Sequence, residues 1–210
     1  MAKATTCKDA IKALEAEKGV VAAEQEKVLL FAKVPPIEKM DGSLSTLKAC
    51  AHLSLSTNNI EKISALSGLD NLKILRRVLL LGKNLIKKIE NLDGVAATLE
   101  ELWISYNNIE KLTNIDKLTN LRVLYMSNNK VADFKELEKL SSLANLSGAF
   151  QLLLVGNPVY TASEDAQSLG SEYRIEVLKR VPQLVKLDGV PVDVDEKEKA
   201  KEMLAEEAAA

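Results

Sequence analysis

The chain has 210 residues, 47% of them apolar, enough for one large domain or two small ones around a buried core. Lys and Arg total 28 against 30 Asp and Glu, a formal net charge of −2, so no global field draws it to nucleic acid or an anionic membrane. A protein partner is expected instead. The opening MAKATTCKDA has no apolar signal core, Ala2 stands where myristoylation requires glycine, and no apolar run approaches the roughly 20 residues of a membrane span. These features predict a cytoplasmic chain whose Cys7 and Cys50 stay as thiols.

In chain order, the stretch from Thr6 to Ala32 is rich in Ala, Lys, Glu and Leu and predicts helix. Residues 1–36 are read as a helical N-terminal cap. PPIEKM (35–40) then breaks the helix and aligns with NNIEKI 23 residues later. From there one phrase recurs: CAHLSLSTNNI (50–60), RRVLLLGKNLI (76–86), LEELWISYNNI (99–109), LRVLYMSNNKV (121–131) and AFQLLLVGNPV (149–159). All fit L-x-x-L-x-L-x-x-N-x-I, with Asn58, Asn84, Asn107, Asn129 and Asn157 at steps of 26, 23, 22 and 28 residues. The pattern is identified as a leucine-rich repeat. It predicts an α/β solenoid over 37–160 with five to six repeats, a parallel sheet on the concave face and short helices or 3₁₀ turns on the convex face.

Each letter of the template has a physical reason. Residues 4 and 6 point to one face of a short strand because side chains alternate with period two. Residues 1 and 11 close the same core, and a single coil cannot bury that face, so copies stack. The Asn at position 9 ends the strand, and its amide can tie the turn to the neighbouring coil. Two long steps predict irregularities: a bulge near Arg76 and Arg77, and a longer convex helix in LEKLSSLANLSGAFQLLLVGN. Beyond the repeats, EYRIEVLKRVPQLVKLDGVPV places Tyr173, Ile175, Val177, Leu178 and Val181 at helical spacing, so 161–192 are read as a C-terminal cap. Residues 193–210 carry seven acids and three lysines over good helix formers and are read as a terminal helix or tail, with Asp193, Asp195 and Glu196 at a solvated helix start. Lys179, Arg180 and Lys186 suggest a modest basic patch open to an acidic partner.

Solvent-facing strand positions carry the functional signal. Position 5 reads Ser54, Leu80, Trp103, Tyr125, Leu153, an apolar and aromatic series where a structural sheet tolerates polar residues. Position 3 adds His52, Val78, Glu101, Val123 and Gln151, and position 7 adds Ser56, Gly82, Ser105, Ser127 and Val155. Aromatic side chains offer large, preferred anchor area. The partner-binding candidates are therefore Trp103 and Tyr125 as anchors, flanked by Leu80, Leu153, Val123 and Val155, with Glu101, Ser54 and Tyr106 beside them. A partner helix laid across the face would suit this stripe. The alternative is a stripe covered by the chain's own ends, or one that reflects strand propensity alone. Catalytic signals are weak. His52 and Cys50 are near in sequence, yet they fall on opposite faces of one strand, and there is no phosphate loop, dinucleotide motif, C-x-x-C or nucleophile elbow. No enzyme activity, metal or cofactor is expected.

The stretches PPIEKMDGSLSTLKAC, LSLSTNNIEKIS, NLIKKIENLDGVAATLEELWISYN, LRVLYMSNNK, GNPVY, SEYRIEVLKRVP and KLDGVPVDVDE together resemble the leucine-rich-repeat light chains of outer-arm axonemal dynein. The resemblance implies a non-catalytic subunit, monomeric within its complex, in the axoneme of a cilium or flagellum. It implies binding to the outer-arm dynein heavy chain, at the microtubule-binding domain of the stalk and near tubulin, with an effect on motor output. Two rivals come from other classes. A phosphatase-targeting subunit predicts several acids across the concave face, which carries Glu101 almost alone. A ribonucleoprotein scaffold predicts a basic surface, which the charge balance does not supply.

Overall fold

The computed structural model describes residues 3–67, 69, 78–143 and 150–209. Helix α1 (Cys7–Lys18) starts where Thr6 Oγ1 accepts from Asp9 N at 3.0 Å, and it ends at Gly19, whose φ of 63° suits a residue without a Cβ. It buries Cys7, Ala10, Ile11 and Leu14, one stripe at helical spacing. The helix expected through Ala32 stops there. A 3₁₀ turn (Ala22–Glu24) follows, and Lys27–Leu29 form strand β1, because VLLF after the glycine stop offers β-branched and aromatic residues to the neighbouring strand.

Seven further strands continue one sheet in sequence order: β2 (His52–Ser54), β3 (Val78–Leu80), β4 (Glu101–Trp103), β5 (Val123–Tyr125), β6 (Phe150–Leu153), β7 (Leu184–Leu187) and β8 (Val190–Pro191). Every neighbouring pair is parallel except β7–β8. The register lines up template position 4 across the sheet: Val28, Leu53, Leu79, Leu102, Leu124, Leu152 and Leu187, all buried. Position 6 (Leu55, Leu81, Ile104, Met126, Leu154) and position 11 (Ile60, Ile86, Ile109, Val131, Val159) are buried beside them, the single core of a leucine-rich-repeat solenoid. The long steps of 26 and 28 residues leave this register intact, so the extra residues lie outside the strands. The bulge expected at Arg76 and Arg77 falls outside the described residues. Of the expected longer convex helix, the described part is a 3₁₀ turn over Phe134–Leu140.

The asparagines tie coil to coil. Asn107 Nδ2 donates to Ile104 O of its own coil and to Leu81 O of the preceding one, both at 3.0 Å, while its Oδ1 accepts from Ile86 N at 2.9 Å. Asn58, Asn84, Asn129 and Asn157 repeat this arrangement, all less than a tenth exposed. The preceding residue, position 8, is left-handed in every coil: Ala32, Thr57, Lys83, Tyr106, Asn128 and Gly156 have φ of 48°, 56°, 52°, 58°, 54° and 78°. Only the last two are residue types that adopt this region readily, so the turn after the strand is imposed by the ladder on residues that resist it. Thr57 is the most strained by type, being β-branched. Thr57→Asn should therefore raise the unfolding free energy by about 0.5–1 kcal/mol, read as a higher midpoint in urea.

The C-terminal cap consists of α2 (Pro158–Thr161), α3 (Glu172–Arg180), β7, β8 and α4 (Val194–Ala209). Asp188 takes over from the asparagines: its Oδ1 accepts from Leu154 N and Val155 N at 2.6 and 3.0 Å, and its Oδ2 accepts from Tyr173 Oη at 2.6 Å. Two expectations are corrected in this cap. Glu196 is buried, not part of a solvated start, because Arg174 reaches it with Nε–Oε1 at 2.5 Å and Nη2–Oε2 at 2.8 Å. Gly170 N and Asp193 N also donate to Glu196. Burial pushes the Glu196 carboxyl up, but the Arg174 bonds and these backbone donors outweigh it and hold the pKa at about 2. The basic patch is likewise neutralised. Lys179 is buried between Glu176 and Glu207, and Arg180 lies over the Phe134 ring at 5.4 Å and bonds Glu176. Lys186 sits elsewhere, on the sheet opposite Gln151.

Candidate protein-docking face

Strands β3 to β6 present template position 5 to solvent, and their register sets Leu80, Trp103, Tyr125 and Leu153 side by side, one per strand. The Trp103 and Tyr125 ring centroids are 5.0 Å apart with planes tilted by 46°. Trp103 Nε1 donates to Glu101 Oε2 at 3.1 Å, and Tyr125 Oη donates to Gln151 Oε1 at 3.3 Å. Each aromatic is thus held at its polar end by the position-3 residue of its own or the next strand, while its apolar body faces out. Trp103 remains 41% exposed despite these contacts.

Position 7 explains why the stripe stays uncovered. Gly82, Ser105 and Ser127 are small, and Ser127 Oγ donates to Ser105 Oγ at 2.9 Å, which lays both hydroxyls along the sheet. A depression of about 310 Å³ results, walled by Leu80, Trp103, Tyr125 and Leu153 and closed at the strand ends by Thr57, Lys83 and Tyr106. Tyr106 projects from its left-handed turn, 53% exposed, with Lys83 Nζ 5.7 Å from its ring centroid.

The structure brings most of the anticipated residues together. Val123 and Glu101 pair across β4 and β5 beside the stripe, and Val155 follows Leu153 at its far end, all half-buried. Ser54 does not join them as surface. It is 4% exposed, between Leu29 of β1 and Leu80 of β3, and Val78 is also buried, so the apolar floor begins at Leu80. What the sequence reading missed is β1, which adds Leu29 to the row and Phe31, 51% exposed, beyond it. The signal was present as KVLLF, a short apolar run of strand length after the glycine stop. Cys50 is buried and His52 half-exposed. Burial pushes the Cys50 thiol up to about 11, so it stays protonated at neutral pH. Among the described residues no group of three or more His, Cys, Asp or Glu is placed to hold a metal.

A parallel sheet laid down one coil at a time, tied by an asparagine ladder and carrying an apolar stripe outside, defines a leucine-rich repeat protein. The family described as Leucine Rich repeats (2 copies) matches residues 97–147. The crystal structure of an internalin from Listeria monocytogenes superposes with a TM-score of 0.52 at 22% identity, covering 79% of this chain and 42% of that one, a likeness of fold. Sequence relatives are much nearer. Dynein axonemal light chain 1 of Chlamydomonas reinhardtii is 64% identical over 200 residues, covering 95% of this chain and 97% of the relative. Its counterpart from Homo sapiens is 49% identical over 192 residues, covering 91% and 95%. The chain belongs to the dynein axonemal light chain 1 family.

Proposed function

We propose that this chain is a non-catalytic light chain of axonemal outer-arm dynein, working in the axoneme of a cilium or flagellum, and that it grips the dynein heavy chain through its sheet face. The observation that carries the reading is the registered row Leu80, Trp103, Tyr125 and Leu153. Binding energy concentrates in a few well-ordered aromatic anchors surrounded by small or apolar neighbours. Trp103 and Tyr125 are ordered in advance by Glu101, Gln151 and each other, which lowers the entropy cost of docking. The heavy-chain segment is the microtubule-binding end of the stalk, so the light chain acts near tubulin. A clamp that favours one of two stalk states by about 1.4 kcal/mol shifts their ratio tenfold, and needs no chemistry of its own.

Calorimetry of the purified chain with a recombinant outer-arm stalk tip tests this. Micromolar or tighter binding is expected, and Trp103→Ala should weaken it by about 2 kcal/mol or more while circular dichroism stays unchanged. Absence of binding to any outer-arm stalk tip would refute the heavy-chain clamp.

A further inference from the structure

We propose a second docking surface, for an acidic peptide segment, on the edge of the solenoid where the chain turns out of the sheet after Asn84, Asn107 and Asn129. It goes beyond the sheet-face reading and does not depend on it. The two residues after template position 11 are charged in four successive coils: Glu38-Lys39, Glu61-Lys62, Lys87-Lys88 and Glu110-Lys111. Stacking places the second member of each pair in one file, Lys39, Lys62, Lys88 and Lys111, at the roughly 5 Å pitch of adjacent strands. In three coils a glutamate stands before the lysine. In the third coil it is Lys87.

That one exchange concentrates charge. Lys87, Lys88, Lys111 and Lys130 line a depression of about 510 Å³, with Glu110 the single carboxylate in its lining among the described residues. The equivalent depression toward the N-terminus, about 530 Å³, holds Glu38 and Glu61 against Lys39 and Lys62 and is balanced. The chain therefore contains its own neutral control at the same template positions. Nearby carboxylates offset the excess only in part, through the Coulombic attraction between Glu136 and Lys111. Glu90 is paired to Lys62 at 3.7 Å, and Glu136 accepts from Lys139 Nζ at 2.5 Å and from Leu112 N at 2.8 Å. Among the described residues no carboxylate oxygen lies within 4.0 Å of the ammonium of Lys87, Lys88, Lys111 or Lys130. A chain of net charge −2 thus keeps four lysines against one glutamate in one recess.

The chemistry favours carboxylates on a short peptide. Ammonium groups are mobile point charges that meet single carboxylates without fixed geometry, and Asn108 and Thr113 add neutral hydrogen-bonding groups within the same recess. An extended glutamate-rich segment presents a carboxylate on one side about every 7 Å, wider than the roughly 5 Å coil pitch, and the long flexible lysine side chains span the difference. A long phosphate backbone would instead run on past the balanced Glu38-Lys39 and Glu61-Lys62 pairs, where it gains no net attraction.

The test is fluorescence anisotropy of a labelled polyglutamate peptide with the full chain. Saturable binding at low salt is expected, fading as ionic strength rises. The Lys87→Glu/Lys111→Glu variant should bind roughly tenfold or more weakly, and Glu110→Gln roughly twofold or more tightly. Lys39→Glu/Lys62→Glu should weaken binding clearly less than Lys87→Glu/Lys111→Glu when the two are compared at about 0.15 M salt, where the Debye length is about 8 Å. All these positions are exposed, and circular dichroism checks each fold. No binding at low salt, equal loss in both lysine pairs, or tighter binding to a single-stranded oligonucleotide or to anionic lipid vesicles would each overturn the proposal.

Discussion

Replacing Asn107 by alanine should lower the unfolding free energy by about 2–4 kcal/mol, measured by urea denaturation under far-UV circular dichroism. The size follows from how the ladder shares its partners. Leu81 O accepts from both Asn84 and Asn107, and Ile104 O accepts from both Asn107 and Asn129, so each carbonyl keeps one bond when Asn107 is truncated. Ile86 N, which donates to Asn107 Oδ1, keeps none of that side chain and is left buried. Asn107→Asp preserves shape yet should be worse at neutral pH. It turns a carboxylate toward Leu81 O, Ile104 O and Ser105 O, where the amide had donated. Only the protonated acid can donate there, so the folded state raises its pKa. The penalty is absent below the ordinary aspartate value of about 4 and grows as pH rises through the raised one. Partial recovery in acid would mark the donor bonds as the cause, whereas a pH-independent loss would point to packing instead.

Arg174→Ala should cost about 3–5 kcal/mol, because it strands the Glu196 charge between α3 and α4 with both partners' side chains almost fully buried. A paired Arg174→Met/Glu196→Met variant should lie much nearer the parent, since it removes both charges while filling the space. The parent's acid sensitivity carries the same signature. With the Glu196 pKa held at about 2 in the folded chain and near 4.5 unfolded, its contribution is fully present above about 4.5. It is lost as pH falls toward 2, a change of about 3 kcal/mol. In Arg174→Ala that acid-induced loss should shrink, since burial still favours the protonated acid and only the Gly170 and Asp193 N–H bonds remain to oppose it. An unchanged acid midpoint in the variant would show that other groups govern it.

The repeat was legible because its demands are local. Leu53, Leu79, Leu102, Leu124 and Leu152 are buried where the template puts them, and the ladder asparagines bond as their spacing requires. The aromatic row was legible for the same reason: once inward positions are known, Trp103 and Tyr125 can only face out. Strand β1 was harder. From Leu29 to the bonded Ile37 the chain runs eight residues, where Ser54 to Ile60 takes six, and no asparagine marks the turn. The Arg174–Glu196 pair was illegible because its members lie 22 residues apart and each resembles an ordinary charged helix residue. Only the tertiary packing of α3 on α4 gives them to each other. Lys179 and Arg180 misled for a mixed reason: Glu207 and Glu138 are distant in sequence, but Glu176, three and four residues away at helical spacing, was legible and went unused.

The in-register row on β3 to β6 has a metric consequence. Adjacent strands lie about 4.8 Å apart, and an α-helix advances about 5.4 Å per turn. A helix laid along the row therefore drops one side chain per turn onto each strand, and across Leu80, Trp103, Tyr125 and Leu153 the two rulers diverge by only about 2 Å in total. The asparagine-locked coils act as a vernier, commensurate with a helix of three to four turns. A longer contact would have to bend or to leave the face, so the tying of coil to coil also limits how much helix this sheet can read.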